Sequence, residues 1–192
     1  LYNITTELAT SLDMDRMLDS ALGMVAKAVG ATQGAILAID PMSERLEFRA
    51  RLGWDLPDSD DTEEQISLAM DDGLAGWAIE NHQSLVVDDV QGDPRWLRVT
   101  PADDEPRAVM VSLIESSEDI LGVMLLYSEQ AGKFTNDHLM LVTAASNQVA
   151  NAMNNAELSR RRQAAVAPAA YSVHPFFPQR AEGSYVWDAD GN

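Results

Sequence analysis

Trp77 and Trp96, with Asp88, Asp89, Arg107 and Ser112, are the residues of this 192-residue chain whose types and spacing could hold a small molecule. A tryptophan on a short helix and another in the long loop that follows could line opposite walls of an apolar pocket. Two carboxylates, a guanidinium and a hydroxyl could then orient what lies between them, since small-ligand pockets are mostly apolar with a few placed polar groups. The alternative is that Trp77 plugs the core and there is no ligand. Asp and Glu pairs could do acid–base work, but no Ser-His-Asp set, metal triad, phosphate loop or kinase motif accompanies them. His82 and His138 could each coordinate haem or a metal, yet each stands without a second ligand at a recognisable spacing and reads as a surface residue; His174 carries no signal. Asp58, Asp60, Asp61, Glu63 and Glu64 offer the oxygens a hard cation wants. They lack the glycine and twelve-residue pattern of an EF-hand and read as a solvated acidic loop. No catalytic residue and no metal ligand is assigned.

Composition narrows the classes further. The 13 basic residues face 31 acidic ones, for a net charge of -18, which disfavours nucleic-acid phosphates and anionic membrane surfaces. There is no cysteine, which removes disulfides, thiolate metal sites, thiol nucleophiles and thioether-linked chromophores. No apolar run approaches the length of about 20 residues that spans a bilayer, and no signal peptide is visible. A cytoplasmic protein is expected. The chain begins at Leu1 without a Met and stops at Asn192 inside what reads as an element, so a fragment of a longer protein is expected too.

The elements that must position the candidate residues follow from periodicity. Tyr2 to Val29 reads as helix in two pieces, with Asp13 as the N-cap of the second and Leu12 and Met17 stapled across it. Met17, Leu18, Ala21, Leu22, Val25 and Val29 continue an apolar stripe that Gly30 ends. Ala35 to Ile39 is a fully apolar strand. Leu46, Phe48, Ala50 and Leu52 alternate with charged residues as a half-buried strand, and the two should pair as a hairpin. Ile66, Leu68 and Met70 suggest a short strand. Gly73 and Gly76 then open a short helix with Leu74, Trp77 and Ala78 on its apolar side, the glycines allowing a tight turn and close approach. Leu85 to Val87 is the next strand. In the polar stretch from Asp88 to Glu105, Pro94 to Leu97 could form one helical turn capped by Asp93. Ala108 to Ile114 and Ile120 to Tyr127 make a second hairpin, covered on both faces. Thr135 caps a long helix whose apolar positions hold to about Arg162. The order predicts an α+β fold with an antiparallel sheet flanked by amino- and carboxy-terminal helices. Residues 163–179, alanine-rich and interrupted by proline, read as linker. Residues 180–192 read as the start of a truncated element, a strand running into an Asp-Gly turn that should be largely disordered on its own.

Residues 1–162 resemble a GAF domain along their whole length. The segments LDMDRMLDSAL, GAILAID, GLAGWAIE followed by DDV and DPRW, RAVMVSLIESSEDILGVMLL and GKFTNDHLMLVTAASNQVANAMNNAEL carry the likeness in the right order. The resemblance implies a sensory fold with a short helix and a long loop covering a pocket. It says little about the ligand, because one fold hosts many functions. Bilin-binding members attach the chromophore through cysteine and free methionine sulfoxide reductases of this fold use cysteine redox chemistry, so neither is expected. The Asn-Lys, Phe, Asp-Glu constellation of cyclic-nucleotide-binding members is not reproduced by Lys133, Phe134 and Asp137. Ser112-Leu113 stands where Pro-Leu is usual, which clouds the pocket wall. A shorter likeness, RAEGSYVWDADGN, resembles the amino-terminal approach to a class III pyridoxal-phosphate aminotransferase.

The expected function is a small-molecule-sensing or signal-transmitting module of a multidomain bacterial regulator, without catalysis. It would form a homodimer through its first and last helices and act on a downstream output domain. The alternatives are a ligandless dimerisation module and the amino-terminal extension of an aminotransferase.

Overall fold

The computed structural model describes residues 2–53, 70–97, 105–117, 119–170, 180–182 and 185–187, with side chains for 13–53, 70–97, 105–117, 119–159, 161 and 162. It divides into two units, Leu1–Ala156 and Glu157–Asn192.

The first unit is a five-stranded sheet with the two long helices against one face and a short helix against the other. Helix α1 is Tyr2–Val29, β1 Gln33–Ile39, β2 Leu46–Leu52, α2 Leu74–Glu80, β3 Leu85–Val87, β4 Ala108–Glu115, β5 Ile120–Ser128 and α3 Asn136–Ala170. The strands run β2-β1-β5-β4-β3, every neighbouring pair antiparallel. The α+β class and both hairpins are as the alternation predicts.

Helix α1 is one piece of 28 residues, not two. No proline or glycine near Asp13 stops propagation, so Asp13 lies inside a continuous helix. The proposed staple involves Leu12, whose side chain lies outside the described residues. Gly30 ends the helix as expected: its φ of 70° is one an L side chain rarely adopts, and Ala31 N–H closes on the Ala26 carbonyl at 2.9 Å. Thr135 caps α3 reciprocally with a histidine. The Thr135 hydroxyl accepts from His138 N–H at 3.3 Å, and His138 Nδ1 accepts from Thr135 N–H at 3.4 Å. His138 therefore has a capping role.

The central strands bury both faces. Met110 and Ile114 of β4, with Met124 and Leu126 of β5, meet Leu18, Leu22 and Val29 of α1 and Val142, Val149 and Ala150 of α3. The alternate residues Val109, Val111, Leu113, Val123, Leu125 and Tyr127 face the other way, toward Leu74, Ala75 and Ala78 of α2 and Val90. Two clusters, back to back on one sheet, make the core.

Strand β2 does not follow its simple alternation. Ile36 pairs with Ala50 but Leu37 with Phe48, so Arg49 is an extra, bulged residue. Leu46 and Phe48 consequently face the α2 side, while Ala50 and Leu52 face the helix side. Arg49 reaches back to Asp15 of α1 at 2.8 Å.

The strand expected over Ile66–Met70 lies mostly outside the described residues. Its described end is helical, Met70 to Asp72, and the Asp71 carboxylate accepts from Leu46 N–H at 3.1 Å. Gly76 explains the tightness of the next turn: a Cβ there would lie 1.6 Å from the Asp71 carbonyl oxygen. In the polar stretch the short helix sits earlier than predicted, a 3-10 turn at Val90–Gly92 with Asp89 as its cap, accepting from Gln91 N–H. Asp93 to Trp96 is instead a tight turn, closed by Trp96 N–H on the Asp93 carbonyl at 3.1 Å. Pro94, without an N–H, suits a turn's second position as well as a helix's first.

Helix α3 runs to Ala170, so residues 163–170 of the expected linker are helical; alanine is the strongest helix former and outweighs the composition change. In the second unit Glu157 and Arg161 pair at 2.8 Å. The expected strand at its end is Tyr185–Trp187, here β7, paired antiparallel with β6, Arg180–Glu182. A short hairpin thus replaces the unpaired segment expected there. The following Asp-Gly turn lies outside the described residues.

Candidate functional site

The site is built on the α2 face of β4 and β5. Tyr127, fully buried, forms part of its floor. Burial pushes the phenol's pKa up from its ordinary value, and its hydroxyl approaches the Met70 thioether at 3.9 Å. Helix α2 lies over this face with Leu74, Ala75 and Ala78 buried, and the segment from Asp88 to Leu97 closes one side.

Arg107 fastens the base of that segment. It donates two hydrogen bonds to Asp89, one from Nε at 3.1 Å and a shorter one from Nη2, a bidentate, charge-assisted pair. Arg107 N–H reaches the Ser128 carbonyl and its own carbonyl accepts from Val90 N–H, both at 2.8 Å. The Arg107 bonds, with the Gln91 N–H, hold the Asp89 carboxyl below the usual carboxylate range, and Asp89 raises Arg107 in turn.

The turn from Asp93 to Trp96 carries two further contacts. Arg95 donates to Asp93 from Nε at 2.9 Å and Nη2 at 2.6 Å, which holds the Asp93 carboxyl low. The same guanidinium lies over the Trp77 ring, 4.3 Å from its centroid, in cation–π range. Trp96 meets Tyr127 edge to face, centroids 6.2 Å apart at 66°, and its indole N–H donates to Glu105 Oε1 at 2.6 Å.

The six residues singled out from sequence therefore divide. Trp77, Asp89, Trp96 and Arg107 come together around this segment. Trp77 is partly buried and packs against the α2-side cluster. The tryptophans do not simply line two walls: Trp77 is covered by Arg95, and Trp96 is seated on Tyr127. Asp88 contributes its carbonyl, which accepts from Gly132 N–H at 2.8 Å, while its side chain is exposed. Ser112 is on the opposite face of the sheet, fully buried, its hydroxyl 3.4 Å from that of Thr143 on α3. Strand parity decides this: Ser112 shares a side with Met110 and Ile114, away from Val111 and Leu113. Residues not singled out from sequence complete the site, namely Tyr127, Asp93, Arg95 and Glu105. The parity of β5 could have found Tyr127; Glu105 shows itself only once the chain returns toward β4.

His82 is exposed, at φ 49° after α2. No cluster of three His, Cys, Asp or Glu fit for a metal occurs among the described residues. The acidic loop of residues 55–64 lies outside them. No described helix is long and apolar enough to cross a membrane. A surface groove of about 320 Å³, lined by Asp19, Phe48, Arg49, Ala50 and Arg51, lies at the β2 edge, across the sheet from β3.

The comparisons agree with this architecture. A family model described as GAF domain matches residues 13–155. Among solved structures, the GAF domain of a phosphoenolpyruvate-protein phosphotransferase from Coxiella burnetii is 13% identical. It aligns with 76% of this chain and 85% of its own at a TM-score of 0.65. The GAF domain/HD domain protein from Geobacter sulfurreducens is 15% identical over 79% of this chain and 98% of its own, TM-score 0.64. The free methionine-R-sulfoxide reductase from Neisseria meningitidis, solved with its substrate, is 16% identical over 76% and 81%, TM-score 0.62. At these identities the likeness is one of fold. No curated protein matches the chain.

Proposed function

The chain belongs to the GAF domain family, and from that premise we propose that it is a regulatory signalling module which senses a small molecule on the α2 face and does no chemistry of its own. The observation that carries the reading is the shared wall. On β4 and β5, Val109, Val111, Leu125 and Tyr127 underlie the Trp77–Trp96 site, while Met110, Met124 and Leu126 underlie α1 and α3. A ligand that changes the packing of one face meets the terminal helices one side chain away. Such coupling requires that the two packings differ in ligand affinity. We place the module in the cytoplasm, upstream of an output domain that reads the position of α3. Catalysis of the reductase kind is set aside because these 192 residues bring no cysteine.

Native mass spectrometry of the purified chain, before and after mild denaturation, tests the reading. Extra mass released on denaturation identifies a captured ligand. A chain that carries no extra mass, and that no small molecule stabilises in a thermal-shift screen, counts against sensing.

A second reading, a ligandless dimerisation module, is favoured by one feature. Met24 on α1 and Met140 and Leu141 on α3 are 66%, 71% and 46% exposed, apolar side chains on the helices that would pair with those of a second copy. A dimer without ligand in the same spectra supports it. A monomer removes it.

A further inference from the structure

We propose that the Asp93–Trp96 turn occupies its own binding site: Trp96 stands where a flat aromatic ring with an N–H donor would bind, and Arg95 latches it there. The inference rests on the sensory reading of this face and names the class of ligand.

Host and guest have different origins in the chain. The host groups lie outside the turn: the fully buried Tyr127 of β5 and Glu105, three residues before β4. They present the two things an N–H heterocycle needs, an aromatic partner for edge-to-face contact and a carboxylate acceptor. The guest belongs to a tight turn at the surface, where Leu97 is 40% exposed. The Trp96 ring reproduces both ligand contacts, 6.2 Å between centroids to Tyr127 and 2.6 Å from Nε1 to Glu105.

The neighbouring residue supplies the latch. Arg95 is clamped by Asp93 and stacked on Trp77 of α2 at 4.3 Å, so the turn is tied to α2 by one residue and to β5 by the next. Side chains 95 and 96 are adjacent, and lifting the turn releases both. An incoming ring therefore competes with a tethered surrogate, and its apparent affinity falls by the fraction of molecules whose turn is open. Weakening the latch raises that fraction.

The test uses the full chain with indole as the probe and benzofuran, its isostere without the N–H, as the control, measured by calorimetry. Trp96→Ala vacates the seat and leaves the host intact. It is expected to bind indole at least about tenfold tighter than the wild type, and benzofuran roughly tenfold more weakly than indole, for the lost hydrogen bond to a charged acceptor. Arg95→Ala keeps Trp96 but removes the latch. Its indole affinity is expected to rise roughly fivefold, with the Trp96 indole N–H resonance moving as indole is added. The proposal is overturned if Trp96→Ala keeps a cooperative melt yet binds indole no better than the wild type. It is equally overturned if that variant takes indole and benzofuran alike, the mark of a nonspecific cavity. Should Trp96→Ala fail to fold, Arg95→Ala decides, and no gain in indole affinity overturns the proposal. A captured molecule without an aromatic ring, released from the wild type on denaturation, sinks the ligand class while leaving the sensory reading in place.

Discussion

The two faces of the sheet are held by different kinds of contact. On the helix side, Leu18, Leu22, Ile36, Met110, Ile114, Met124 and Leu126 are buried to within 1% of completely, and cohesion there is apolar, non-directional and distributed over many side chains. On the α2 side the deep layer is apolar too, but what closes it is a short series of directional contacts between partly exposed residues: Asp89 with Arg107, Asp93 with Arg95, Arg95 with Trp77, Trp96 with Glu105. Side-chain exposures in the first of these pairs are 39% and 41%, where an ion pair contributes little net stability. Such a surface can open locally without unfolding the domain. One face is suited to persist and to carry a displacement, the other to change.

Substitutions of graded severity put that contrast at risk. Leu22→Ala removes a fully buried side chain from the helix side and should cost about 3 kcal/mol of unfolding free energy, from lost transfer energy and the cavity left behind. Urea denaturation followed by circular dichroism measures it. A loss under about 1 kcal/mol would mean the helix-side cluster is looser than its burial implies, and the contrast would fail. Gly76→Ala places a methyl 1.6 Å from the Asp71 carbonyl and forces α2 away from the turn before it. The expected loss is about 2 kcal/mol by overpacking, read as a lower melting temperature. A variant as stable as the wild type would show that α2 already moves freely on the sheet.

Ser146→Ala has the opposite sign. Its hydroxyl is completely buried on α3 and is the one side-chain atom among the described residues that is buried with no hydrogen-bond partner. Removing it should stabilise the chain by about 1 kcal/mol. The same melt decides the matter, and a destabilised variant would mean the hydroxyl is satisfied in solution.

The sequence carried the sheet better than it carried the site, for a physical reason. Strands such as Ala35–Ile39 and Ala108–Ile114 announce themselves because period-two and fully apolar runs reflect burial, which is a property of each residue. The bulge at Arg49 is invisible to that logic. Leu46, Phe48, Ala50 and Leu52 keep perfect alternation while the chain gains a residue and switches faces. The break expected at Asp13 failed similarly, since a capping residue signals a helix start only where the chain in fact turns. Within the site, Trp77, Asp89, Trp96 and Arg107 were legible as types suited to a pocket. Their partners were not, because Arg95 on Trp77 and Trp96 on Tyr127 depend on how the 88–97 segment folds back. Ser112, expected among the pocket's polar groups from its type, lies on the opposite face because strand parity puts it with Met110 and Ile114.

The smallest effect separates the faces by pH. Asp89 and Asp93 both have carboxyls held below the ordinary range of about 4, by hydrogen bonds from Arg107 and Arg95 respectively. A carboxyl whose pKa is lower in the folded than in the unfolded chain stabilises the fold fully above its unfolded pKa, and that contribution is lost as pH falls through the folded value. The contacts should thus be constant from pH 7 to 5 and weaken below about pH 4. The local reporters are Gln91 N–H and Arg95 N–H, which donate to Asp89 Oδ1 at 3.2 Å and to Asp93 Oδ1 at 2.9 Å. Their hydrogen-exchange protection, corrected for intrinsic rates, should decline with acid before that of the β4–β5 ladder around the Met110–Leu126 pair, where paired residues 108–114 and 122–128 include no carboxylate. Asp93→Asn should remove the acid dependence at Arg95 while leaving it at Gln91. If strand and turn amides lose protection together, the 88–97 segment opens only with global unfolding, and its closing contacts belong to the core after all.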